Sequence, residues 1–199
     1  MVTRFGRHLH RFVLAAFAAL GLASHSAARP GLCVFDSSGK DKAILASIPP
    51  PTPRSPALPL VGAIRWDAWT GGAVTDIVQR TLGPEKFHAR LPWFAEVSGD
   101  QQVKIAGGRQ IIMETEIAFA ARAGLDYWAF LLYPESDVMS VSLQHYLKSQ
   151  RRKDIQFCVI LHNAMKVSDD QWPRELQRLI QLIKEPGYVR VLNGRPLVF

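Results

Sequence analysis

Along residues 58–199, short apolar runs alternate with segments in which apolar residues recur every three or four positions, the mark of strands and helices taken in turn. Runs at 58–66 (LPLVGAIRW), 126–134 (DYWAFLLYP) and 155–163 (IQFCVILHN) predict three strands, the second nearly all apolar, as in a strand covered on both faces. Residues 110–123 predict a helix with Met113, Ile117 and Ala120 on one stripe, Ile112, Phe119 and Ala123 beside it, and Gly124 at the exit. Residues 138–150 predict a second helix, with Met139, Leu143, Tyr146 and Leu147 inward and Gln144, Lys148 and Arg151 outward. A third starts near Asp170, which can cap it while Pro173 sits in the first turn. Its stripe is Leu176, Leu179, Ile180 and Ile183, and Pro186-Gly187 ends it. Tyr188 to Val191, a turn at Asn193-Gly194 and an apolar run through Phe199 complete a fourth strand region. The stretch from Gly72 to Gly108 reads as a long irregular excursion. This alternation predicts an α/β domain of βα units around a parallel sheet.

The beginning of the chain has a different pattern. Arg4, Arg7 and Arg11 precede an apolar run at 12–23 (FVLAAFAALGLA) and the small-residue stretch 24–28, the layout of a secretory signal peptide cut after Ala28. A membrane span needs roughly 20 apolar residues, so the expectation is a secreted or periplasmic protein with no stable membrane insertion after signal removal. His8 and His10 fall in the discarded segment. Residues 29–57 carry Pro30, Pro49, Pro50, Pro51, Pro53 and Pro56 and read as an extended, disordered Pro-rich linker. The organisation is therefore signal peptide 1–28, linker 29–57 and folded domain 58–199.

Composition narrows the classes. The 199 residues are 48% hydrophobic and 21% charged, ordinary globular material for one domain. Lys+Arg 24 against Asp+Glu 17 gives +7, but three of the arginines belong to the leader and the remaining surplus is diffuse, which argues against a nucleic-acid partner. Arg151-Arg152-Lys153 reads as a solvated helix end. Cys33 and Cys158 are too few for a disulfide scaffold and lack the spacing of a zinc site; whether they pair is left open. No cofactor or metal is implied, since His162 has no nearby partner at ligand spacing.

The succession AIRWDAW, LPWFAE, AARAGLDYWAFLLY, FCVILHN and GYVRVLNGRPLVF resembles the glycoside hydrolase family 99-like, endo-α-mannosidase-like group. That resemblance implies a (β/α)8 TIM barrel acting on glycans. Such a barrel takes about 250 residues, so residues 58–199 correspond to a partial barrel, about the first four strands and three helices. Catalytic carboxylates in that family lie in a Glu-x-x-Glu segment of the later half, and this sequence has no Glu-x-x-Glu. Catalytic residues are therefore not carried over. The expectation is an incomplete, inactive hydrolase-like chain, with a non-catalytic carbohydrate-binding protein as the alternative. Strands one and four of a half-barrel would be open edges, a route to self-association.

Active sites of these barrels form at the carboxyl ends of the strands. Position selects Trp66, Asp67 and Trp69 after strand one, Tyr133 and Glu135 after strand two, and His162 and Asn163 after strand three as substrate-binding candidates. Aromatic planes pack on the C–H faces of sugars, while carboxylate, amide and imidazole groups bond their hydroxyls. Trp66 fits the core equally well, and Asp67, close to Gly71-Gly72, could organise a turn. Asp67 and Glu135 are the carboxylates at adjacent strand tops and are read as binding groups at most. Glu114 and Glu116, two apart and so on different helix faces, are expected to be solvated.

Overall fold

The computed structural model describes residues 39–52, 55, 58–162 and 168–199. Residues 1–28, expected to be a signal peptide, Cys33 and Asn163 lie outside the described residues. Among those described, no helix is long and apolar enough to cross a membrane.

The domain is α/β. Strands β1 (Gly62–Arg65), β4 (Tyr127–Leu131) and β5 (Gln156–Ile160) form a parallel sheet in the order β1-β4-β5. Register places Ala63 beside Trp128 and Trp128 beside Phe157. The strands are shorter than the apolar runs that announced them. A fourth position beside β5 is filled in two pieces: Tyr188 bridges Phe157 and Val198 bridges Val159, both in parallel. Between them the chain detours through a small antiparallel hairpin, β6 (Arg190–Val191) and β7 (Arg195–Pro196). The hairpin turns at Leu192, Asn193 and Gly194, all at positive φ (45°, 64° and 94°), as the Asn-Gly pair predicts. The Leu197 N–H then bonds the Val189 carbonyl at 3.0 Å, and the strand resumes.

Alternation along the strands splits the side chains between two faces. Trp128, Phe130, Phe157 and Tyr188 point to the helical face. There the helix Val141–Lys148 delivers Tyr146, 1% exposed, into their midst, with centroids 6.4, 5.5 and 5.1 Å from Trp128, Phe130 and Phe157. Helix Gln110–Arg122 adds Met113, Ile117 and Ala120, the stripe its periodicity predicts, and helix Trp172–Lys184 adds Leu179 and Leu182. Phe119 and Ala123, expected beside the stripe of the first of these helices, and Leu176, expected on the stripe of the last, are exposed instead. Asp170 does not cap the last helix: Gln171 holds that place without a side-chain cap bond, and Pro173 occupies the first turn as expected. On the opposite face Tyr127 lies over Gly62, where a Cβ would collide with its ring, and Ile64 on the edge strand is 64% exposed.

Two larger expectations are corrected as well. The excursion after β1 is folded: a helix Gly72–Leu82, a 3-10 turn Glu85–Arg90, and an antiparallel hairpin of β2 (Ala95–Gly99) and β3 (Gln102–Ile105). Phe94, Val103, Ile105 and Ile112 form its own small core, with Val78 and Leu82 packed against it. The linker also holds a helix, Lys40–Ser47, in the proline-free window before Pro49. Its Asp41 is 2% exposed and paired with Arg109 at 2.7 Å, which fastens the helix to the domain. In chain order these helices are α1 (Lys40–Ser47), α2 (Gly72–Leu82), α3 (Gln110–Arg122), α4 (Val141–Lys148) and α5 (Trp172–Lys184).

Candidate functional site

Just past the carboxyl ends of β1, β4 and β5, the residues Trp66, Tyr133 and His162 fall two positions beyond Ile64, Leu131 and Ile160, and so share the face opposite the helices. They meet in a row. The Trp66 indole Nε1–H donates to the Tyr133 hydroxyl at 3.1 Å, and the His162 ring stands edge-on to the Tyr133 ring with centroids 4.7 Å apart. All three are half-buried. Burial raises the Tyr133 hydroxyl above its ordinary range, with the Trp66 bond pulling the other way. Burial lowers the His162 imidazole, opposed by a backbone hydrogen bond to Leu132, so the neutral ring is favoured.

The other candidates stand elsewhere. Trp69 is packed edge-on against Phe94, centroids 6.4 Å apart, as part of the hairpin core, and its carbonyl accepts the Gly107 N–H. Glu135 is exposed, and its carbonyl accepts from Gln144. Asp67 is 5% exposed and committed to Arg65, whose Nε and Nη2 reach its Oδ1 at 2.8 and 2.7 Å. The two carboxylates at the strand tops are therefore not presented together. Among the described residues, no group of three or more His, Cys, Asp or Glu could hold a metal ion. Cys158 is free and fully buried in the sheet, its thiol pushed up to about 12 by burial.

Arg65 was not singled out from the sequence. Its guanidinium also pairs with Glu116 at 2.7 Å and lies 4.4 Å from the centre of the Trp128 ring. Glu116 is thus not the solvated residue its spacing from Glu114 suggests. The two do point to different faces, and the face Glu116 takes is the one Arg65 crosses. A lone cation inside the apolar run LPLVGAIRW was the available signal, because a charge on a buried strand requires a partner. Burial opposes charge on Arg65, but Asp67 and Glu116 outweigh it and hold the guanidinium charged.

Burial likewise raises the Glu116 carboxyl above its ordinary 4.5, more than Arg65 lowers it, with Asp67 adding to the rise. An acid raised on folding contributes stability that is complete below its ordinary value and is lost as pH climbs through the raised one. In Glu116→Gln that loss should vanish. Urea midpoints measured upward from pH 4.5 should then fall less steeply than those of the wild type. Identical slopes would assign the decline to another group.

Comparison with family models, with curated proteins and with solved structures returns no match for this chain.

Proposed function

We propose that the chain is an exported, glycan-active protein of the family 99-like hydrolase type, representing the first half of its barrel, and that the row Trp66–Tyr133–His162 contacts the sugar. The observation that carries the reading is the row itself: two aromatic rings and an imidazole joined across three neighbouring strand ends. Flat rings suit the C–H faces of a pyranose, and the hydroxyl and imidazole suit its oxygens. The strand order β1-β4-β5, followed by the two-piece fourth strand, is also the sequential order of a barrel rather than the reversing order of a doubly wound sheet.

One observation favours binding over hydrolysis by this chain alone. Glycoside hydrolysis normally needs two carboxyl groups roughly 5–9.5 Å apart across the bond, and here Asp67 is occupied by Arg65 while Glu135 faces solvent. The chain is expected to show saturable affinity for at least one of mannan, glucan or xylan oligosaccharides by calorimetry, without turnover. Tyr133→Ala or Trp66→Ala should weaken that affinity about tenfold or more. Absence of binding across the panel would remove the reading, and turnover by the purified chain would return the catalytic carboxylates to it. The edge strand β1, whose Ile64 is exposed, gives the same protein a route to self-association.

A further inference from the structure

The Tyr133 side chain is only half of how that residue is held. Its carbonyl, two residues beyond the end of β4, accepts from the Arg178 guanidinium at 2.7 Å, while the Ser140 hydroxyl, 3.0 Å away, gives its single proton to the nearer Pro134 carbonyl at 2.6 Å. Arg178 comes from α5 and Ser140 from the turn entering α4. The same Arg178 nitrogen reaches Glu175 at 3.0 Å, and the two side chains are 16% and 10% exposed. A guanidinium on a neutral carbonyl makes a charge-assisted bond, stronger than an amide would make. Withdrawing an Arg–Glu pair from water is costly and adds little net stability. What the pair does achieve is to fix one peptide group at the strand end.

That peptide group carries the hub of the row. Indole nitrogen is a donor only, so Trp66 uses the lone pair of the Tyr133 hydroxyl and leaves its proton to point elsewhere. We propose that Arg178 is a positioning residue that holds the Tyr133 hydroxyl on the Trp66 indole, so that the phenolic proton is presented to an acceptor oxygen of the ligand. The choice of a sugar oxygen as that acceptor rests on the carbohydrate reading; the positioning does not.

The test is a double-mutant cycle on the full chain, following tyrosine ionisation by ring-carbon NMR, with Tyr133 assigned by its loss in Tyr133→Phe. Trp66→Phe should move the Tyr133 titration upward, because the phenolate loses a donor. In an Arg178→Ala background the Trp66→Phe shift should disappear, and added ethylguanidinium should restore it. A shift of the same size in both backgrounds overturns the proposal. If Arg178→Ala does not fold, Arg178→Gln, which keeps much of the stem but removes the charge and shortens the donor, should shrink the shift, and an unchanged shift overturns it equally. With mannan oligosaccharide as the probe, Tyr133→Phe should lose roughly threefold to tenfold in affinity, the contribution of one hydrogen bond. Equal affinity overturns the donor role. Coupling without any sugar binding supports the positioning and removes the carbohydrate reading alone.

Discussion

Arg65→Met should lower the unfolding free energy by about 3–5 kcal/mol, the usual cost of leaving a buried charge without its partner. Arg65 is 10% exposed and is shared by two carboxylates, Asp67 at 5% and Glu116 at 20%. Methionine restores the apolar stem over Trp128 but leaves both acids facing each other across a dry gap. Denaturant titration at neutral pH reads the loss. It should diminish in acid, where the raised Glu116 carboxyl takes up a proton. Replacing all three together, Arg65→Met with Asp67→Asn and Glu116→Gln, should recover a large part of the stability, because no uncompensated charge remains. A single-variant loss below about 1 kcal/mol would mean that the cluster is solvated like a surface pair.

Tyr146→Ala should be comparably damaging, about 3–5 kcal/mol for a large aromatic removed from a packed core. The ring is 1% exposed and its hydroxyl donates to the Ile155 carbonyl at 2.6 Å, where the chain enters β5. Tyr146→Phe separates the two contributions. Keeping the ring and deleting the hydroxyl leaves the Ile155 carbonyl without this donor, for about 1–3 kcal/mol. Calorimetric unfolding of both variants gives the ratio. If Tyr146→Phe cost as much as Tyr146→Ala, the bond to β5 rather than the aromatic packing would hold α4 on the sheet.

Much of this fold was legible because strong periodicities survive without knowledge of the partner. Met113, Ile117 and Ala120 make a stripe in the sequence and a stripe in the core. The excursion from 72 to 108 was misread for a physical reason. Its helix carries Val78 and Leu82 toward a core only a few residues wide, and its hairpin has two short strands with a bulge between Val97 and Gly99. Short, irregular elements with a private core give little periodic signal. The helix Lys40–Ser47 was hidden by the prolines around it. Site residues divided along similar lines. Strand-end position found Trp66, Tyr133 and His162, but the sequence could not show that Asp67 is taken by Arg65, or that Trp69 turns to Phe94. Arg178 lies on α5, far from its partner in sequence; nothing local marks an arginine that reaches the carbonyl of Tyr133.

The two-piece fourth strand has a practical corollary. Because Val189 and Leu197 are hydrogen-bonded neighbours, the sheet reads straight across the gap and treats residues 190–196 as a side loop. The tip is outside the ladder, with Leu192 75% exposed. Loop tips of this kind tolerate added sequence. The Leu192-Asn193-Gly194 tip is accordingly a grafting port, a place where an epitope, a fluorophore site or a second domain can be spliced into the chain while the register of the parallel sheet is left as it stands.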